Sequence, residues 1–281
     1  MNLANVFLQS SLGEAKSLQT FVQLQGATRW GGLLASYTYD RTRDFSSSSC
    51  CIAGIDLFNS LRTAGSPNDF RSQYARAGYS RTHSIVFSPT LTLPYGVLVS
   101  GIYRGYSGLP WTPTYGSDIN SDGVANDRLY VPTDADLASY TFFHNPAAGL
   151  DSALQRTQFG QTLANNACIS SHRGQIIARN SCENPFQHIL DARIAKRFET
   201  VKGQGLELSL DFFNLLNGLK STYGQRFEVQ GANTGALTTR GFNAATQRYI
   251  YQYNTNFAKL EPSPFGLSQQ FQMQLGARYS F

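Results

Sequence analysis

Apolar and polar side chains alternate along much of the chain with a period of two. In the last fifteen residues, LSQQFQMQLGARYSF, Leu267, Phe271, Met273, Leu275, Ala277, Tyr279 and Phe281 share one face. Ser268, Gln270, Gln272, Gln274, Arg278 and Ser280 share the other, and only Gln269 breaks the rhythm. Such alternation puts successive side chains on opposite faces of a β-strand. The run exceeds the usual soluble strand of about 5–6 residues and covers the about 9–11 that a tilted membrane strand needs. The same period sets Leu206, Leu208, Leu210 and Phe212 against Glu207, Ser209 and Asp211, and Leu33, Ala35, Tyr37 and Tyr39 against Ser36, Thr38 and Asp40. It also sets Ala77, Tyr79, Ile85, Phe87, Leu91 and Leu93 against Ser80, Thr82, Ser84, Ser88, Thr90 and Thr92. Seven long strands are therefore predicted, over 17–26, 32–45, 75–93, 96–110, 186–199, 205–216 and 267–281. The pattern is weakest over 96–110, where Leu98 and Ile102 share a face with Ser100 and Arg104.

The connections alternate in length. Short ones fall at Thr28 to Gly31, at Pro94 and Tyr95, and at Thr200 to Gln204, all rich in turn residues. Long ones cover about 46–74, 111–185 and 217–266. Short periplasmic turns alternating with long extracellular loops build outer-membrane barrels, so the fold class predicted is an all-β, antiparallel transmembrane β-barrel. Strands that run into a short turn end in the periplasm, and so does Phe281. Tyr37, Tyr39, Tyr79, Tyr103, Tyr279 and Phe281 then lie near strand ends on the apolar face, where an aromatic belt is expected. Arg104, Arg193 and Arg278 fall on the lumen side.

Composition agrees. Of 281 residues only 15% are charged and 41% are hydrophobic, with 13% aromatic and a net charge of +5, against about 25% charged and 45–50% apolar in ordinary globular domains. So many Phe and Tyr at so low a net charge exclude a disordered chain. No apolar run approaches the about 18 residues of a membrane helix. The N-terminal stretch Met1 to Lys16 lacks the basic region, apolar core and cleavage site of a signal peptide, so the chain is either cytoplasmic or lacks its N-terminus. Two alternatives stay open. A small self-contained barrel would take Arg248 to Phe257 as an eighth strand, and a secreted β-sandwich adhesin or calcium lectin would also alternate inside and outside.

Candidate chemistry is sparse. Asp118, Asn120, Asp122 and Asp127 place oxygen ligands at alternate positions around Gly123, as in the first half of a calcium loop, but Leu129 stands where an EF-hand carries its bidentate Glu. Calcium in an extracellular loop is one reading and a self-bonded Asx-turn loop the other; no cofactor is required. Cys168 and Cys182 share a long loop, and in an oxidising compartment a disulfide between them is the most economical pairing. Cys50 and Cys51 are adjacent and their pairing is open. The four His (83, 144, 172 and 188) lie in different segments, and no catalytic motif is present, so no enzyme is expected. The basic side chains are dispersed, which argues against nucleic acid; some Arg would meet lipopolysaccharide.

Three stretches carry a family resemblance. The run GYSGLPWTPTYGSDINSDGVANDR resembles the SGxPxTP segment and DxNxDGxxNDR loop of Oar-like TonB-dependent outer-membrane receptors. Leu190, Asp191, Arg193, Lys196 and Phe198 match that family's LDxRxxKxF strand. Leu206, Glu207, Leu208, Asp211, Phe213, Asn214, Leu215 and Asn217 match its LELxxDxFNLFN strand. The resemblance implies a barrel of about 22 strands, plugged by an N-terminal domain and opened by the energy-transducing protein TonB. No plug or TonB box is visible, so the chain reads as the C-terminal part of such a barrel, with seven of its strands and with 1–16 unassigned. The ending Gln274-x-Gly276-x-x-Tyr279-x-Phe281 resembles the terminal signal by which the barrel assembly machinery captures outer-membrane strands.

Overall fold

The structure is a computed structural model that describes residues 14–45, 73–121, 124–263 and 269–281. Seven strands form one antiparallel meander: β1 (Ala15–Thr28), β2 (Gly31–Asp44), β3 (His83–Leu93), β4 (Val97–Tyr106), β5 (Gln187–Glu199), β6 (Gly205–Phe213) and β7 (Gln272–Ser280). Each pairs with its neighbours in sequence, as in an up-and-down barrel wall. Among the described residues the sheet is open, with β1 and β7 at its edges. The turns are tight where predicted. Between Leu93 and Val97 the chain reverses through Tyr95 (φ 64°) and Gly96 (φ 71°), both left-handed, which suits the twist of a hairpin.

The register stacks like faces across strands. One row runs Leu24, Ala35, Phe87, Tyr103, Leu190 and another Leu91, Val99, Ile194, Leu210, Leu275. The opposite face carries rows such as Thr90, Ser100, Arg193, Asp211, Gln274. A one-residue slip anywhere would move apolar side chains onto the polar face, so the pattern itself fixes the pairing.

Four strand limits differ from the sequence reading. The segment 75–93 is two pieces: Ala75–Arg76 pairs with the end of β2, and 78–81 bulge out of the ladder between Ala77, which donates to Thr42 O (3.0 Å), and Thr82, which accepts from Asp40 N (2.9 Å). Ser80 there turns back on Ala77 and its hydroxyl donates to Asp40 Oδ2 (2.6 Å), which breaks the alternation assigned to Ala77 and Tyr79. β4 stops at Tyr106 because Pro110–Trp111 pairs instead with Cys182–Glu183. β6 stops at Phe213, where Asn214 adopts φ 50° and a short helix, Leu215–Leu219, begins. Over 267–281 only Gln272–Ser280 is strand; 267 and 268 lie outside the described residues, Gln269 Oε1 accepts from Arg226 N, and Phe271 N donates to Asn217 Oδ1.

The largest difference lies in the long connections. Segments 111–185 and 217–263 are not open loops but fold together into a cap with its own core, in which Phe159, Leu129, Leu163, Ile169, Ile177 and Leu237 are fully buried. It contains α1 (Asp134–Ser139), α2 (Ser152–Asn165) and α3 (Ala167–Ser170). Asp151 caps α2 by accepting from Leu154 N (2.7 Å), and Asn166 closes α2 and caps α3. Arg248–Tyr253 is a strand, as the small-barrel alternative required, but it pairs with Leu237–Asn243 and Thr141–Phe142 inside the cap rather than with the wall.

Candidate functional site

The outward face of the wall is exposed and apolar: Leu24, Leu91, Leu275 and Met273 all stand clear of the protein. Contiguous apolar surface of this extent marks a lipid or partner contact, since soluble monomers rarely expose patches above a few hundred Å². At the long-loop end the same face carries Tyr37, Tyr39, His83, Tyr103 and His188. The phenols of Tyr37 and Tyr103 hydrogen-bond His83 Nδ1 and His188 Nδ1, each at 2.7 Å. At the short-turn end stand Trp30, Tyr95, Phe198 and Tyr279. Two aromatic belts thus bracket the apolar band, as amphipathic rings prefer the headgroup level. Lys196, on the apolar face, lays its ammonium 4.9 Å from the Phe198 ring near that end. No helix is long and apolar enough to cross a membrane among the described residues.

The inward face holds two polar clusters built on the two motif strands. Asp191 of β5 accepts from Arg104 of β4 and from the backbone N–H of Asn214 (2.8 Å). Arg193 bridges Glu207 (2.9 Å) and Asp211 (3.2 Å) of β6. Asn214 donates to the carbonyls of Gly224 (3.0 Å) and Gln269 (2.5 Å), and Asn217 donates to Ser221 O (2.7 Å) and accepts from Phe271 N (3.1 Å). The Asn-x-x-Asn pair therefore ties the top of β6 to both ends of the following connection. Gly224 (φ 67°) is required there, because a Cβ would lie 1.9 Å from Asn214 Oδ1. Sequence matching found these residues but not this role.

The remaining candidate residues sit apart from those clusters. Asp118 Oδ1 accepts from Ser121 N (2.7 Å), an Asx turn, and buried Asp127 accepts from Ile119 N (2.9 Å). Asn120 is half-buried beside them, while Asp122 lies outside the described residues. Among the described residues no three His, Cys, Asp or Glu side chains group around one point. Cys168 and Cys182 form a disulfide with Cα atoms 5.5 Å apart, joining α3 to the short strand beside Trp111. Cys50 and Cys51 lie outside the described residues. His144 and His172 are both in the cap, the first 3.9 Å from Asp151 and the second bonded to Cys168 O (2.8 Å). Of the C-terminal set, Gln274 faces Asp211, Tyr279 faces Leu206 and donates to Gln204, and Phe281 is fully exposed. At Gly276 a Cβ would approach Ser209 Oγ to 2.6 Å.

Within the cap, burial holds the hydroxyls of Tyr115, Tyr140, Tyr251 and Tyr253 protonated above the ordinary tyrosine value. Folding raises these values, so the linked stability is complete below the unfolded value of 10.0 and is lost as pH climbs through the folded ones. Phenolate absorbance should therefore show these four ionising together with cap unfolding, after the exposed tyrosines have titrated. A smooth, non-cooperative titration of all 15 tyrosines would contradict the buried cluster.

A belted apolar outer face, a polar inner face, short turns at one end and long connections at the other define an outer-membrane β-barrel protein. The chain belongs to the outer membrane beta barrel domain family, whose match covers residues 15–252 and so all but the last wall strand. It resides in the outer membrane of a Gram-negative bacterium. No curated protein and no solved structure matches it.

Proposed function

We propose that the chain is the C-terminal part of the barrel of an Oar-like TonB-dependent receptor, and that the whole receptor takes up a substrate actively across the outer membrane. The observation that carries this reading is the open seven-stranded meander. In lipid every backbone group must be paired, and among the described residues no strand pairs with the outer edges of β1 and β7, so further strands are called for, which a larger barrel supplies. The resemblance motifs support it, because their Asp191 and Asn214 bond each other and their Arg193 and Asp211 form an ion pair, all on the inward face. Lys16, Arg41 and Arg43, on the outward face beyond Tyr39, suit the phosphates of lipopolysaccharide. TonB would act through the N-terminal part of the receptor.

An antiserum against the cap, used on outer-membrane fractions, should detect a heat-modifiable band well above the mass of 281 residues that cross-links to TonB. A heat-modifiable band at the mass of 281 residues would replace this reading with a self-contained barrel. In the same fractions Phe281→Ala should lower the inserted band severalfold, as expected if the assembly machinery captures the last strand by edge pairing. Ser280→Ala, on the opposite face, should leave it unchanged; equal insertion of the two variants overturns the assembly role.

A further inference from the structure

The cap has a cavity of 320 Å³ between α1 and the hairpin formed by Leu237–Asn243 and Arg248–Tyr253. Its wall is a tyrosine ladder: the Tyr140 and Tyr251 ring centroids are 5.3 Å apart and those of Tyr249 and Tyr251 are 6.1 Å apart. All three rings are half-buried, so each keeps part of its surface open. Tyr249 is held from behind, its hydroxyl donating to Ile119 O (3.1 Å) and its edge meeting Phe242. At the rim stand a carboxylate, Asp136, and a guanidinium, Arg248.

Both rim charges are fixed in place yet retain bonding capacity. Asp136 Oδ2 accepts from Thr133 N (3.0 Å), Thr133 Oγ1 (2.7 Å) and Tyr130 OH (2.8 Å), which also holds its carboxyl below the ordinary aspartate range and keeps it ionised. A carboxylate offers about four acceptor sites. Arg248 donates through Nη1 to Ser139 O (3.1 Å), one of about five N–H donors on the group. Gln247 adds an exposed amide that both donates and accepts.

We infer that this cavity binds a saccharide, one or two sugar rings of a glycan outside the cell. A hydroxyl both donates and accepts, so neighbouring hydroxyls on a ring match an acceptor-only carboxylate beside a donor-only guanidinium. The C–H face of a sugar is flat and apolar, and tyrosine presents a flat apolar body with a polar tip at low entropic cost. A lipid chain is disfavoured because charged and amide groups line the rim, and a phosphate because Asp136 would repel it. The volume is at the lower end of the about 300–1,000 Å³ of small-molecule sites. The site is independent of the uptake reading, since it would serve any cell-surface protein that holds glycans.

Saturation-transfer NMR on the protein extracted in detergent, with maltotriose, cellotriose and chitotriose as probes, tests the assignment. At least one should receive saturation on its ring C–H protons. Tyr251→Ala and Arg248→Ala should each weaken that binding about tenfold, roughly the loss of one good contact. An intact Cys168–Cys182 disulfide, read by mass spectrometry, shows that each variant keeps its cap. No transfer to any of the three probes overturns the proposal, and so does binding that neither Tyr251→Ala nor Arg248→Ala weakens.

Discussion

Asp44→Ala should loosen the cap from the membrane wall, at a cost of about 3–5 kcal/mol, the usual effect of breaking a buried ion pair by removing one partner. Asp44 ends β2 at the extracellular side, and Arg179 belongs to the cap; both are almost fully buried. Arg179 Nη2 lies 2.5 Å from Asp44 Oδ1, and its Nε donates to Gln73 O (3.0 Å). Without the carboxylate the buried guanidinium would lose the charge that faces it at 2.5 Å. Nearby contacts, Arg76 with Glu183 (2.6 Å) and Asn180 with Arg76 O (2.7 Å), are more exposed and worth less. The double variant Asp44→Ala/Arg179→Met removes both charges and should recover much of the loss. Hydrogen exchange and limited proteolysis read cap docking, while heat-modifiable mobility reads the wall. A single variant whose cap is as protected as the parent's, or a double variant no better than the single, would sink the latch.

The wall was legible in the sequence because each of its strands faces lipid on one side and a polar interior on the other. β2, β5 and β6 begin within a residue of their expected starts. Alternation failed where side chains compete with the ladder. Ser80 bonds Asp40 and turns the chain out of β3, and Asn214 takes a left-handed conformation that stops β6. The cap was read only as long loops, for a different reason. Its elements are packed against one another from several sides, and most of its strands have only two or three residues, too short to show a period. α2 hides its helical rhythm as well, since its buried stripe is Gln155, Phe159 and Leu163. The polar Gln155 is there because its amide donates to Phe143 O (2.7 Å) and accepts from Tyr253 N (3.0 Å), stitching helix to hairpin. The cap disulfide had a sequence signal in its shared loop, whereas Arg179 and Asp44, 135 residues apart, had none.

The disulfide and the latch should be coupled. Cys168→Ser is expected to destabilise the cap by about 3 kcal/mol, the loop-closure value for a ring of about 15 residues. The bonded cysteines are 14 positions apart, and the ring between them includes His172, buried Ile177 and Arg179 itself. Opening it frees the segment that presents Arg179, so part of the ordering that aligns the guanidinium with Asp44 is lost before the carboxylate is touched. Asp44→Ala should therefore cost less in the Cys168→Ser background than in the parent, with a coupling of roughly 0.5–3 kcal/mol. The Cys168→Ser/Cys182→Ser variant gives the cleaner background, because it leaves no lone thiol to mispair. Urea titration of cap proteolysis across the four proteins of this cycle supplies the coupling, and strictly additive costs would mean that the ring and the latch act on separate parts of the cap.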